Sequence, residues 1–173
     1  GVAVIPHRLA NPEYAEVVAR EFSSLTAENM MKPQYIWTGE RTYDFSRGDS
    51  IITFAQAHSM QVHGHTLAWH NMQPAWLKQS IESYDSATLE NLLREYIQTV
   101  VKHYRGKVVS WDVVNEAIDP EGNGMRKSVY QQKLGDDYVV RCHQYAREAD
   151  PKVLLFYNDY DVAAKPEKLK TIL

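Results

Sequence analysis

Short apolar runs alternate with amphipathic stretches along the whole chain. Five runs predict β-strands, over Val2–Ile5, Ser23–Ala27, Val62–Ala68, Val108–Val114 and Val153–Tyr157. Apolar residues at helical spacing predict helices between and after them, over Pro12–Phe22, Asp49–His58, Asp85–Tyr104, Val129–Ala149 and Lys165–Leu173. Regular alternation of strand and helix is typical of a parallel sheet covered by helices, so an α/β fold is predicted.

Polar residues concentrate where four of the five predicted strands end. They are Glu28 and Asn29, His65 to His70, Asn115 and Glu116, and Asn158 and Asp159. In a (β/α)8 TIM barrel, the active site is built from those carboxyl ends of the strands. A full barrel has eight βα units and about 250 residues. The five units of this chain therefore predict a TIM barrel of which only about the first five βα units are present.

Composition and charge narrow the classes of partner. The net charge is −3 with both signs mixed along the chain, so neither nucleic acid nor a membrane surface is an expected partner. No glycine-rich nucleotide-binding motif follows a strand, and no linker or repeat interrupts the sequence, so one domain over residues 1–173 is expected. Cys142 is the only cysteine, which leaves no internal disulfide.

The stretch WDVVNEAID places two carboxylates in an apolar run. If side chains alternate strictly, Asp112, Val114 and Glu116 share one face of the strand, and Asn115 lies on the other face. Glu116 would then look into the mouth of the barrel, unless it is only a loop acid at a strand end. Asp112 would lie deeper, as a buried structural and electrostatic support that needs a partner.

Two neighbouring motifs allow several interpretations. His63 and His65 share a strand face and His70 follows, which suits a metal-dependent hydrolase, contacts to a sugar beside Trp69, or core histidines paired with Asp112. The stretch TAENMMK supplies a hydrogen-bond acceptor, an amide and a cationic donor, which suits sugar binding or an ordinary helix start. These three residues are Glu28, Asn29 and Lys32.

Four motifs in order resemble those of one enzyme family. LTAENMMKP, VHGHTLAWH, VVSWDVVNEAID and YNDYD are similar to the successive strand-end motifs of glycoside hydrolase family 10, the endo-β-1,4-xylanases. The resemblance extends along essentially all 173 residues. It implies a (β/α)8 barrel that hydrolyses xylan or xylo-oligosaccharides with retention, without a metal or other cofactor. It also implies a secreted, cell-surface or periplasmic protein, although this sequence contains no signal peptide.

The resemblance also implies a role for each matching residue. Glu116 matches the general acid/base, and Asn115 matches the residue that binds the 2-hydroxyl of the sugar being cleaved. His65 and Trp69 match residues that shape the −1 subsite. The remaining matches bind substrate on the glycone side or the +1 side; they are Glu28, Asn29 and Lys32, and Asn158 and Tyr160, respectively.

The sequence departs from the family pattern in four places. Three are substitutions: Met72 stands where the family has Gln, Pro33 where it has Trp, and Asp161 where it has Asn. The fourth is the family's nucleophile, a Glu on the seventh strand in a motif like TELD, which these 173 residues do not contain. We therefore expect the N-terminal portion of one catalytic barrel, inactive alone and partnered by the remaining C-terminal barrel strands. The alternative is a non-catalytic fragment that binds xylan.

Overall fold

The computed structural model describes all of residues 1–173 and contains seven strands. They are β1 (Val2–Val4), β2 (Ser24–Ala27), β3 (Trp37–Gly39), β4 (Thr42–Tyr43), β5 (Gln61–Trp69), β6 (Ser110–Asn115) and β7 (Leu154–Asn158). Five of them form one sheet in the order β1-β2-β5-β6-β7, and every neighbouring pair is parallel. The sheet therefore confirms the five predicted strands and their parallel pairing.

Eight α-helices connect or follow the strands. They are α1 (Pro12–Glu21), α2 (Pro33–Ile36), α3 (Ser46–Ala57), α4 (Ala75–Ser80), α5 (Ser86–His103), α6 (Val129–Leu134), α7 (Tyr138–Ala149) and α8 (Pro166–Ile172). A short 3-10 helix covers Pro6–Ala10. None of the helices has the length and apolar character needed to cross a bilayer.

Local chemistry explains where α1 and α5 begin and which side of α5 is buried. The Asn11 side chain accepts a hydrogen bond from Tyr14 N at 3.1 Å, and the Asp85 side chain accepts one from Thr88 N at 2.7 Å. Both are N-cap contacts that satisfy otherwise unpaired amides of the first turn. From there α5 buries one stripe at helical spacing, formed by Leu89, Leu92, Leu93, Tyr96, Ile97, Val100 and Val101.

The helix and strand prediction was wrong in two regions and also lacked the short helices α2 and α4. The predicted helix Val129–Ala149 is two helices, because Gly135 has φ 75° and ends α6 in a conformation that glycine adopts freely. The hairpin formed by β3 and β4 was not predicted, since its turn carries Glu40 and Arg41 rather than the usual Asn-Gly. Its Trp37 stacks on Tyr96 of α5 with ring centroids 4.5 Å apart, so tertiary packing supports a hairpin that lacks a turn signal.

Helices cover one face of the sheet and leave the other partly open. Along β2 and β5 the residues Leu25, Val62 and Gly64 are buried, whereas His63 and His65, which alternate with them on β5, are half-buried. At the β7 edge, Leu154 is 59% exposed and Phe156 is 47% exposed. The polar residues of the neighbouring strands therefore line the same open face as these uncovered apolar side chains.

Gly64 fits under a large aromatic ring on the helix-covered face. A Cβ atom at this position would lie 2.2 Å from Cε3 of the buried Trp111. Gly64→Ala is therefore expected to lower the free energy of unfolding by about 1–3 kcal/mol, because the ring has to move in a close-packed core. Urea unfolding measures this change.

Gly39→Ala is the matched control for that measurement. A Cβ at Gly39 would meet Thr42 Cβ at 3.4 Å, which is an ordinary contact. This variant is expected to unfold within about 0.5 kcal/mol of the wild type. Equal stability of both alanine variants would contradict the proposed clash at Gly64.

Candidate active site

The carboxyl ends of the strands bring the predicted site residues to one edge of the sheet. Strand β2 leads into Glu28, β5 ends at Trp69, β6 ends at Asn115, and β7 ends at Asn158. Trp69 pairs in register with Asn115, and Asn115 pairs with Asn158. Residues that are 43 to 47 positions apart in sequence thus become neighbours.

Asp112 joins two histidines on the open face. Its Oδ2 atom lies 2.9 Å from His63 Nε2 and 2.8 Å from His65 Nδ1, and the residue is 8% exposed. Burial opposes ionisation of this carboxyl, but the hydrogen bonds and charges of His63 and His65 outweigh it and hold the pKa of Asp112 below its usual range. The predicted contact between Asp112 and the neighbouring histidines is therefore present, and it leaves His65 Nε2 as the nitrogen not used by Asp112.

The second nitrogen of His63 is also occupied. His63 Nδ1 lies 2.7 Å from Ser110 Oγ, so the ring is held between Ser110 and Asp112. This arrangement matches the interpretation of His63 as a core histidine with its polar atoms satisfied. It also fixes the orientation of the Asp112 carboxylate that contacts His65.

The strict alternation predicted for the WDVVNE strand was wrong. The register between β6 and β7 slips by one residue, because Asp112 pairs with Phe156 while Val114 pairs with Tyr157. The extra residue on β6 is a bulge, and a bulge reverses the side-chain pattern that follows it. Asn115 therefore lies on the open face with Asp112, where its Oδ1 accepts a hydrogen bond from Asn158 Nδ2 at 2.8 Å.

Glu116 follows β6 directly and takes part in three hydrogen bonds, one through its side chain and two through its backbone. Its carboxylate accepts a hydrogen bond from Trp69 Nε1 at 3.0 Å. Its backbone N–H donates to Asn158 O at 2.9 Å, and its carbonyl accepts from Arg126 Nε at 2.8 Å. The residue has φ 56°, in the left-handed region that side chains other than glycine rarely adopt. Such a conformation at a strand end is a pointer to function.

The stretch after β2 approaches the same indole ring. Lys32 Nζ donates to Asn29 Oδ1 at 3.0 Å and lies 5.2 Å from the centroid of the Trp69 ring. Burial lowers the pKa of Lys32, although the negative charges of Glu28 and Glu116 act in the opposite direction. The structure therefore brings Lys32, Asn29 and Trp69 together, with the exposed Glu28 alongside.

The predicted residues after β7 meet an arginine that sequence reasoning missed. Tyr160 is 39% exposed, and its hydroxyl accepts a hydrogen bond from Arg126 Nη2 at 3.2 Å. Because Arg126 also binds the Glu116 carbonyl, it links the loop after β6 to the loop after β7. A lone arginine in GNGMRKS carries no local signal for this contact, which joins residues 34 positions apart.

The histidines do not assemble the ligand set that a metal-dependent hydrolase requires. His63 and His65 both bind Asp112, whereas His70 lies at the edge of Trp69 with ring centroids 6.2 Å apart. Burial, together with the charge of Arg126, lowers the pKa of His70. No group of three or more His, Cys, Asp or Glu side chains is placed to hold a metal ion. The arrangement therefore does not support the metal interpretation.

The groups at this edge could contact a carbohydrate. The edge presents the carboxyl group of Glu116, three amides, an ammonium and an imidazole beside an indole ring. Such groups match the hydroxyls and the apolar ring faces of a sugar. A parallel sheet with outer helices and polar side chains at its carboxyl edge is the arrangement of the α/β-barrel class.

Comparison with known proteins identifies the family. The chain belongs to glycosyl hydrolase family 10, whose model matches residues 1–173. It is 42% identical over 168 residues to the endo-1,4-beta-xylanase A of Thermotoga maritima, a match that covers 93% of this chain and 16% of that protein. It is 39% identical over 180 residues to the endo-1,4-beta-xylanase of Geobacillus stearothermophilus, covering 100% of this chain and 53% of the relative.

Solved structures confirm the fold. Xylanase 10B from Thermotoga petrophila in complex with xylobiose superposes with a TM-score of 0.94 at 37% identity, over 99% of this chain and 53% of that one. The intracellular xylanase of Thermoanaerobacterium saccharolyticum, solved as a mutant with xylotetraose, gives 0.91 at 38% identity and 56% coverage of its own length. The chain thus spans about half of these (β/α)8 barrels, and its five parallel strands are the matching part.

Proposed function

We propose that this chain is the N-terminal portion, residues 1–173, of a single endo-β-1,4-xylanase catalytic barrel. In this proposal Glu116 is the general acid/base of a retaining hydrolysis of internal xylosidic bonds. The observation that carries it is the placement of Glu116 at a strand end, held in an unusual backbone conformation beside Trp69 and Asn115. Family membership and relatives described as xylanases support the same reaction.

The first step needs a proton at the bond that breaks. Glu116 protonates the oxygen of the departing sugar while a second carboxylate attacks the anomeric carbon and forms a glycosyl-enzyme. Glu116, now ionised, then removes a proton from a water molecule, which releases the sugar with retained configuration. The two carboxyl groups of a retaining enzyme stand about 5–5.5 Å apart. We propose that the second one belongs to the remaining strands of the barrel.

The neighbours of Glu116 are oriented for the sugar that is cleaved. Since Asn115 accepts from Asn158 through Oδ1, its own NH2 group is left to donate to the 2-hydroxyl, a bond that strengthens in the transition state. His65 is bound to Asp112 through Nδ1, so Nε2 is its nitrogen for a sugar hydroxyl. Trp69 adds an apolar surface for the ring in the −1 subsite.

The remaining predicted contacts lie on either side of that sugar. We assign the glycone subsites to the group after β2, in which Lys32 is already oriented by Asn29 and faces the Trp69 ring. The +1 side is assigned to Asn158 and Tyr160, which follow β7. The partner is accordingly xylan or a xylo-oligosaccharide, as in the relative solved with xylobiose. No cofactor is invoked for any of these steps.

The remaining C-terminal barrel strands are proposed as the second partner. Strands β1 and β7 are the two edges of the sheet, and exposed Leu154 and Phe156 on β7 form an apolar surface that a further strand and its side chains would cover. The solved relatives are roughly twice as long as this chain, which supports the proposal that further strands complete the barrel. Secretion stays a prediction, since one solved relative is described as intracellular.

The proposal predicts that the complete barrel, meaning this chain joined to its remaining strands, releases reducing sugar from xylan. Residues 1–173 alone are expected to release none, because one of the two required carboxyl groups is supplied from outside them. A reducing-sugar assay on both purified proteins measures the difference. Persistent hydrolysis by the isolated segment, lost in its Glu116→Ala variant, would contradict the division of the two carboxyl groups.

A second candidate function is binding without hydrolysis. The contacts among Lys32, Asn29 and Trp69 are formed within this chain and do not need the remaining strands. Calorimetric titration of the wild-type complete barrel with xylo-oligosaccharides, combined with a reducing-sugar assay on the same protein, separates the two functions. Binding without any hydrolysis would favour the binding function, whereas turnover favours the enzyme.

A further inference from the structure

A lysine of α8 is fully buried against the loop that follows β7. The side chains of Lys168 and Asp159 are both 0% exposed, and Lys168 Nζ lies 2.6 Å from Asp159 Oδ1. Nζ also donates to Tyr160 O at 2.8 Å and lies 3.6 Å from the centroid of the Tyr160 ring. A buried ion pair is weak grounds for stability, because desolvation offsets the attraction between the charges. Its placement here calls for another reason.

The ion pair continues through a tyrosine to the backbone of the loop that follows β6. Asp159 Oδ2 accepts a hydrogen bond from the hydroxyl of Tyr157. Burial and the neighbouring Asp159 carboxylate raise the pKa of Tyr157, so the hydroxyl keeps its proton and donates it to this bond. The same hydroxyl oxygen accepts from Ala117 N at 2.9 Å and from Ile118 N at 3.1 Å.

Those two amides directly follow Glu116. Glu116 has φ 56°, a conformation that costs a non-glycine residue of the order of 1 kcal/mol or more and needs support from its surroundings. Asn158 O and Arg126 Nε hold the Glu116 peptide groups themselves. The Tyr157 hydroxyl holds the next two amides, so the chain cannot relax toward an extended conformation that would turn the Glu116 side chain away.

We propose that Lys168, Asp159 and Tyr157 form a positioning relay that holds the Glu116 carboxyl at the bond to be cleaved. This inference rests on the proposed function and adds three residues that act through Glu116 without touching the reacting atoms. Lys168 also supports the ring of Tyr160 on the proposed +1 side. The relay therefore connects the acid/base to the subsite that binds the departing sugar.

Leaving-group dependence tests the relay, because a general acid matters only when the departing oxygen needs a proton. Xylan has a poor leaving group, whereas the nitrophenolate of a nitrophenyl β-xylobioside departs without protonation. Lys168→Met in the complete barrel is expected to lower kcat/KM for xylan at least about 10-fold more than for the nitrophenyl substrate, since general acid catalysis contributes about 10²–10⁴-fold. Equal losses on both substrates would show a merely structural role and overturn the relay.

Tyr157→Phe decides the question if Lys168→Met fails to fold. It keeps the ring and removes only the oxygen that holds Ala117 N and Ile118 N. The same selective loss on xylan is expected, and an unchanged ratio of the two substrates would overturn the relay. Lys170→Met is the control, because Lys170 binds only Glu167 in an exposed pair and should leave both rates unchanged. A wild-type barrel inactive on both substrates would instead refute the proposed function.

Discussion

Replacing Glu116 with alanine is expected to lower kcat/KM of the complete barrel on xylan by about 10²–10⁴-fold, the usual contribution of general acid–base catalysis. The carboxyl group is held by Trp69 Nε1 at 3.0 Å, so it stands ready at a defined position. Its removal leaves no other group in this chain fixed at the same place to protonate the departing oxygen. Initial rates of reducing-sugar release measure the loss.

A nearby acid provides the control for this substitution. Glu121 lies on the loop that follows β6, and its side chain is 71% exposed and binds Lys165 at 3.0 Å. Glu121→Ala removes another carboxyl group from the same region and is expected to retain wild-type kcat/KM. If both alanine variants lose activity equally, the effect comes from general charge and not from proton transfer at Glu116.

Replacing Asp112 with alanine is expected to lower the free energy of unfolding by about 3–5 kcal/mol, the usual cost of removing one partner from a buried charged pair. His63 and His65 both bind the same Oδ2 atom, so two imidazoles lose their partner at once. Asp112→Asn keeps the volume and one acceptor and is expected to cost less. Urea unfolding of the complete barrel measures both variants.

The contribution of Asp112 to stability also has a defined pH dependence. Its pKa is lowered in the folded protein, so its stabilisation is present above the unfolded pKa of about 3.9 and is lost as the pH falls through the lower folded pKa. The difference in unfolding free energy between wild type and Asp112→Asn should therefore shrink below about pH 4. A difference that stays constant from pH 3 to pH 7 would contradict this assignment.

Periodicity predicted the sheet well because strand and helix leave different spacing in sequence. Three of the predicted runs show this clearly: Ser23–Ala27, Val62–Ala68 and Val153–Tyr157. Each is short and apolar, lies between amphipathic stretches, and forms a strand of the parallel sheet. Parallel strands all present their carboxyl ends at one edge, so the predicted clustering of polar residues follows from topology alone. The roles assigned to those residues in catalysis and binding stay predictions.

Side-chain directions were less predictable, and Asn115 shows the reason. A strict period of two places it away from Asp112, whereas the bulge in β6 places both on the open face. A bulge arises from the register between two strands, which no single strand encodes. The hairpin of β3 and β4 is similar, since its Trp37 is stabilised by stacking on Tyr96, almost 60 residues further along the chain.

The sequence by itself determined the order of the main strands and helices, the strand ends at which polar residues concentrate, and the kinds of side chain found there. These features depend on local spacing and residue type, which a linear pattern records. Only the tertiary structure decided that Trp69 binds Glu116, that Arg126 links two loops, and that Lys168 reaches the backbone after Glu116 through Asp159 and Tyr157. Such contacts between distant segments depend on how strands pair and helices pack, so they appear only when the chain is folded.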